Sequence, residues 1–420
     1  MKERNHGVDL LRILSILMVL TLHLMKALIN NAEVARPNYY FAWTLEVFSY
    51  CAVNCYALIS GFVGHGRKVK YSNLLYLCIQ VSLYATIAYV VSVLVFAQPF
   101  SGLALIEAIL PFSNWFIIAY FGMFFFSPFL NKFVEHAPKS MVKICLLTCT
   151  LLFSFLSVFL KNDLFGVSWG YSFVWLSFLY TFGAYVKKYQ PFKNVKKRFF
   201  LLGYIVGALC LLAIKILEWV FAAHPFTGSA LIAEFFPFFI NYNSPIVLFN
   251  ALCLLFFFSR LNVKGKVLKK LISIFSSVVF GVFLIHIQAP LRDPLMAWFG
   301  SFTLDAPLYM TILVSVGIIL AEFLLCGLVD YIRKLLFDLC RVRKLCTLIE
   351  YLAKRLTYKF FLLLKIDLLE KQPSQDSVAE PTSTASTDEA QTNVTPPHRT
   401  IIWITNIKDA LVGRLFFVIA

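Results

Sequence analysis

Between Val8 and Leu328 the chain repeats apolar stretches of roughly 20 residues, separated by short polar breaks. That length is what an α-helix needs to cross a hydrocarbon core about 30 Å thick, whereas barrel strands would be half as long and would alternate in polarity. Ten such stretches can be placed, at 8–29, 41–64, 72–96, 114–130, 142–160, 169–186, 199–221, 236–259, 271–289 and 302–328. An apolar fraction of 60% agrees with a chain that dissolves mostly in lipid. The fold expected is therefore all-α: a polytopic membrane protein of about ten transmembrane helices.

Orientation follows from the basic residues, which gather in cytoplasmic loops. The breaks on the N-terminal side hold nineteen Lys and Arg, and the opposite breaks hold four, namely Lys26, Arg36, Lys161 and Arg292. Both termini are accordingly expected in the cytoplasm. The net charge of +16 then reads as a topology signal facing anionic lipid headgroups, and the chain carries no nucleic-acid motif. The ten cysteines sit singly or four apart in apolar stretches and show no metal-ligand spacing, so they read as small buried hydrophobes.

Residues 1–328 thus form one membrane domain. A basic amphipathic region on the cytoplasmic side is expected over 329–371, carrying Arg333, Lys334, Arg341 and Arg343 among apolar residues. The tail, 372–420, is rich in Ser, Thr and Pro and is expected to be disordered, with a short apolar end from Thr400 that reads as surface-bound.

Ionisable groups within apolar spans are costly and are functional candidates by default. The first span carries Asp9, Arg12 and His23. Eleven helical steps bring His23 back to within about 20° of Arg12, at a rise of roughly 16 Å. One helical stripe thus presents a cation near one membrane surface and an imidazole deep inside. Asp9 and Arg12 also suit capping and anchoring at headgroups. His286 lies about fifteen residues into the ninth span, at a depth like that of His23, which suits either a shared polar cavity or an interfacial histidine near Arg292 and Asp293. The second span carries Glu46, Asn54 and Ser60-Gly61-Phe62, where Asn54 suits an interhelical hydrogen bond and Ser60-Gly61 a close helix contact. Trp115 opens the fourth span, where an interfacial aromatic belt is the alternative. Lys215 and Glu218 are three apart and can neutralise each other, whereas Glu322 has no evident partner.

Taken together, Arg4, Asp9, Leu11-Arg12, His23 ten residues on, Asn54, Ser60-Gly61-Phe62, Trp115-Phe116 and His286 resemble the acyltransferase 3 family of membrane O-acyltransferases. Cys55-Tyr56 stands where members often carry two phenylalanines. The resemblance implies a bacterial cytoplasmic-membrane enzyme with no bound cofactor or metal. It would take an acyl group, usually acetyl, from cytoplasmic acetyl-CoA and deliver it to a hydroxyl of an extracytoplasmic glycan. His23 would be essential and Arg12 its partner, supported by Asp9, Asn54, Ser60, Trp115 and His286. A partner protein for the final transfer is one way to reach the acceptor. Chemically, a neutral imidazole suits a general base, and His23 either activates the acceptor or carries the acyl group itself. A proton-coupled transporter or flippase is the rival class, and it would be expected to show internal repeats that are not evident here.

Overall fold

The computed structural model describes residues 4–31, 36–112, 114–223 and 234–363, and these form helices joined by short connections, with no strand among them. The expected tail from 372 onward lies outside the described residues. The helices are α1 (His6–Asn31), α2 (Pro37–Ser49), α3 (Ala52–Gly64), α4 (Tyr71–Leu94), α5 (Gly102–Ile109), α6 (Trp115–His136) and α7 (Lys139–Thr150). They continue as α8 (Phe173–Tyr189), α9 (Lys197–Ala223), α10 (Pro245–Ser259), α11 (Lys266–His286), α12 (Ala289–Asp305), α13 (Leu308–Leu339) and α14 (Val342–Leu363). The chain is an all-α polytopic membrane protein: eight segments are long and apolar enough to cross a bilayer, with Pro37–Gly64 counted as one of them. Every one of the ten expected spans coincides with a helix, the two outside that eight being α8, of 17 residues, and α10, of 15.

The structure departs from the expected spans in four places. The second span is broken into α2 and α3 at Tyr50 and Cys51, which no Pro or Gly announces. α7 passes into a π-helical turn at Leu151–Leu156, where the Phe153 carbonyl accepts a hydrogen bond from Asn243 Nδ2 at 2.9 Å. α5 and α12 occupy stretches expected to be breaks. Finally, α13 runs eleven residues beyond the expected end at 328, so Arg333 and Lys334 belong to it rather than to an amphipathic surface region. In α14 the basic Lys344, Lys354 and Arg355 are interleaved with Leu345, Leu348, Leu352 and Leu356. Most of α14 falls in a second unit, Lys344–Ala420.

α1 is the axis of the first unit, packing against α2, α3, α10, α11, α12 and α13. Its start is fixed by Asn5, whose side-chain oxygen accepts from the Val8 amide at 3.1 Å while its amide donates to the Ser259 carbonyl at 2.9 Å. Elsewhere small residues set the spacing. A Cβ on Gly61 would lie 1.8 Å from the Tyr180 carbonyl oxygen, and one on Gly183 would lie 2.0 Å from that of Leu58, so α3 and α8 touch backbone to backbone.

Several polar groups within the spans are paired in closed sets. On α13, Asp330 is fully buried and accepts from Arg333 at 2.8 and 2.9 Å, from Gln80 at 3.0 Å and from Tyr84 at 2.8 Å, while Arg333 donates to the Tyr76 hydroxyl at 2.7 Å. Lys215 and Glu218 pair at 2.9 Å as their spacing suggested. Glu322 is buried and neither carboxylate oxygen has a hydrogen-bond partner. Removing one partner of a buried ion pair leaves an uncompensated charge. Asp330→Asn is therefore expected to lower stability by about 3–5 kcal/mol, read as thermal unfolding in detergent, and an unchanged midpoint would show that α4 and α13 do not depend on this pair.

Candidate functional site

A cavity of about 650 Å³ is lined from Arg12 at one end to Lys26 and Asn30 at the other, with His23 on its wall between them. The eighteen residues from Arg12 to Asn30 correspond to roughly 27 Å of helix, close to the whole hydrocarbon thickness. Because α1 is surrounded by six other helices, the polar stripe along it faces protein and cavity rather than lipid.

His23 Nδ1 lies 2.8 Å from His286 Nε2, with ring centroids 4.9 Å apart and the ring planes within 25° of each other. The tautomers follow from the neighbours. His286 Nδ1 is 3.2 Å from the Val282 carbonyl, which can only accept, so that nitrogen carries the proton. In the neutral ring His286 Nε2 then accepts, and the proton in the contact between the rings belongs to His23 Nδ1. His23 Nε2 is left with a free lone pair. This is the orienting arrangement that a general base requires: one ring nitrogen held by a neighbour, the other available.

At the Arg12 end, Asp9 is buried and accepts from Arg4 Nε at 2.5 Å and from Arg12 Nη1 at 3.1 Å. Arg4 also donates to Ser276 Oγ at 2.9 Å, and Lys334 donates to Ser277 Oγ at 3.2 Å. One carboxylate among three cations leaves this mouth with net positive charge, and Ser276, Ser277 and Arg12 form part of the cavity wall. Asp9 lies behind the wall as the group that holds Arg12. Ser60 is on the wall and donates to its own helix at the Tyr56 carbonyl, at 2.8 Å.

Trp115 starts α6, where Asn114 caps the helix by accepting from the Phe116 amide at 2.9 Å. Its indole is on the cavity wall, 4.5 Å from the Tyr171 ring and 6.0 Å from that of Tyr242, so it belongs to an internal aromatic cluster rather than to an interfacial belt. Asn54 is fully buried and absent from the wall. It donates to the Tyr242 carbonyl at 2.7 Å and accepts from Trp175 Nε1 at 3.0 Å, pinning the segment before α10 from behind. The structure thus brings Arg12, His23, Ser60 and Trp115 to one cavity, sets His286 directly behind His23, and places Asp9 and Asn54 as supports.

Among the wall residues that sequence reasoning did not find are Lys26, counted there as a loop charge, Tyr50 at the break between α2 and α3, Tyr171 and Tyr242. Glu46 was noticed but not assigned to the site, and it also lines the cavity. The tyrosines carry no periodic signal, because two lie in connections and one at an unannounced helix break.

The first helix thus lines a polar cavity that has a paired histidine on its wall and a cationic mouth. Residues 5–330 match the acyltransferase 3 family, described as an acyltransferase domain, and the chain belongs to that family. It is a membrane acyltransferase. No curated protein and no solved structure matches the chain.

Because Asn54 satisfies two buried groups on other elements, its loss leaves both the Trp175 indole and the Tyr242 carbonyl without a partner. Asn54→Ala is expected to lower stability by about 2–4 kcal/mol. Thermal unfolding of the purified protein measures this, and a wild-type midpoint would remove Asn54 from its supporting role.

Proposed function

We propose that this acyltransferase takes an acetyl group from cytoplasmic acetyl-CoA and transfers it to a hydroxyl of a cell-surface or lipid-linked glycan, in a bacterial cytoplasmic membrane. The observation that carries the proposal is the single cavity joining Arg12 to His23 and reaching Asn30. The side of entry is supported by the basic loops, which favour a cytoplasmic location for the Arg12 end.

At that end the Arg12 guanidinium spends one arm on Asp9 and keeps the others for phosphate oxygens, which it binds as a planar fork. An extended pantetheine arm then runs along the α1 stripe toward His23, about 16 Å away. The acceptor hydroxyl gives its proton to His23 Nε2 as its oxygen attacks the thioester carbonyl. The C–S bond breaks, the new ester carries the acetyl group, and the departing sulfur recovers the proton from His23. During this exchange His286 Nε2 accepts from His23 Nδ1, which holds the ring in place and spreads the transient positive charge.

Acyl transfer is favoured over proton-coupled transport by the lone-pair arrangement of the histidines, because a nitrogen fixed by a ring neighbour and a backbone carbonyl is preorganised for one orientation of attack. The two readings separate by experiment. His23→Ala is expected to abolish coenzyme A release from acetyl-CoA by protein in lipid supplied with crude surface glycan, while leaving membrane insertion intact. Turnover at the wild-type rate in that variant would end the proposal. Arg12→Lys is expected to raise the KM for acetyl-CoA by about 10- to 100-fold, since charged hydrogen bonds of the fork are lost, with a smaller change in kcat. A kcat loss at unchanged KM would instead place Arg12 in the chemical step.

A further inference from the structure

The cavity wall beyond His23 is chemically unlike the cationic mouth. Tyr50, Trp115, Tyr171 and Tyr242 come together there from four separate parts of the chain. Ring centroids are 5.1 Å apart for Tyr50 and Tyr242, 4.8 Å for Tyr171 and Tyr242, and 4.5 Å for Trp115 and Tyr171. The planes of Trp115 and Tyr242 lie within 26° of parallel, and the four rings form an aromatic cluster on the cavity wall. The hydroxyls of Tyr50 and Tyr242 are directed toward that of Tyr171, which gives the same surface a polar edge.

Glu46 stands one helical turn before Tyr50 and lines the same cavity. Its Oε2 is buried and has no hydrogen-bond partner, and its charge is faced by Lys26 on α1. Glu46 is nine residues after the start of α2, and His23 is eight before the end of α1. Since the two helices pack together and only five residues separate their adjoining ends, both groups sit about 12–14 Å from the same end of the pair. The unfilled carboxylate oxygen and the catalytic imidazole are therefore at one depth.

An aromatic face beside a carboxylate with unused acceptor capacity suits a ligand that is apolar on one face and rich in O–H donors at its rim. A fatty chain would leave the Glu46 carboxyl group unsatisfied. We infer that Tyr50, Trp115, Tyr171 and Tyr242, with Glu46, form the acceptor subsite, in which a pyranose ring lays its C–H face on the aromatic wall and donates a ring hydroxyl to Glu46. The inference rests on the acyl-transfer reading and assigns its acceptor to a particular wall. A ring held there turns another of its hydroxyls toward His23 Nε2 for acetylation.

Saturation-transfer NMR on the full chain in lipid nanodiscs tests this with methyl β-D-glucopyranoside, methyl β-D-galactopyranoside and the acyclic polyol sorbitol as probes. Saturation is expected at the C–H protons of at least one pyranoside and not at sorbitol. Tyr171 lies in a connection and is 40% exposed, so Tyr171→Ala removes a ring without emptying a packed helix interface. It is expected to weaken pyranoside binding by up to about tenfold, as loss of one aromatic contact implies, and Tyr171→Phe should restore most of that loss. Glu46→Gln should also weaken pyranoside binding, with no effect on sorbitol. Equal saturation of sorbitol and both pyranosides, or affinities unchanged in Tyr171→Ala and Trp115→Ala alike, would overturn the subsite. His23→Ala separates the two ideas. His23-dependent coenzyme A release together with ring variants that bind as wild type would leave acyl transfer standing and remove the subsite. Ring-dependent pyranoside binding with coenzyme A release indifferent to His23 would do the reverse.

Discussion

Hydrocarbon offers no hydrogen-bond partner, and that constraint organises every polar side chain within the spans of this protein. Most are closed against one another. Asp330 and Arg333 share Gln80, Tyr84 and Tyr76; Asn54 joins Trp175 to the Tyr242 carbonyl; Lys215 holds Glu218. These closed sets fix which helix lies beside which. Arg12, His23 and Glu46, whose Oε2 has no hydrogen-bond partner, border one cavity, whereas Glu322 is unpaired away from it.

α1 carries this division of labour. Its contacts with six other helices remove its polar stripe from lipid, so the stripe can be lined with charge and imidazole without penalty from the bilayer. The break between α2 and α3 serves the same cavity. It turns Tyr50 into the wall at the depth where the aromatic cluster gathers, and the π-helical turn after α7 supplies the carbonyl that anchors Asn243, next to Tyr242.

The histidine pair shows how a side chain gains a defined role from a neighbour that is remote in sequence. His23 and His286 are separated by 263 positions, and either alone could be protonated on either nitrogen. The Val282 carbonyl fixes His286, and His286 fixes His23. The same logic applies at the mouth, where Asp9 orients Arg12 and Arg4 together and Arg4 also reaches Ser276.

Helix class, the positions of the spans and the stripe of Arg12 and His23 were legible in the sequence, because apolar length and a 3.6-residue period are local properties that lipid enforces on each segment separately. The depth of His286 was legible for the same reason, although its contact with His23 was not. Tertiary structure decided what has no local period. It broke the second span at Tyr50, extended α13 through Arg333 to pair with Asp330, moved Lys26 from an expected loop onto the cavity wall, and set Asn54 behind that wall rather than on it. It also gathered Tyr50, Trp115, Tyr171 and Tyr242, two of them in connections where no periodicity exists to be read. Such convergence depends on how helices far apart in the chain satisfy one another's polar groups, and that is a property of the packed whole.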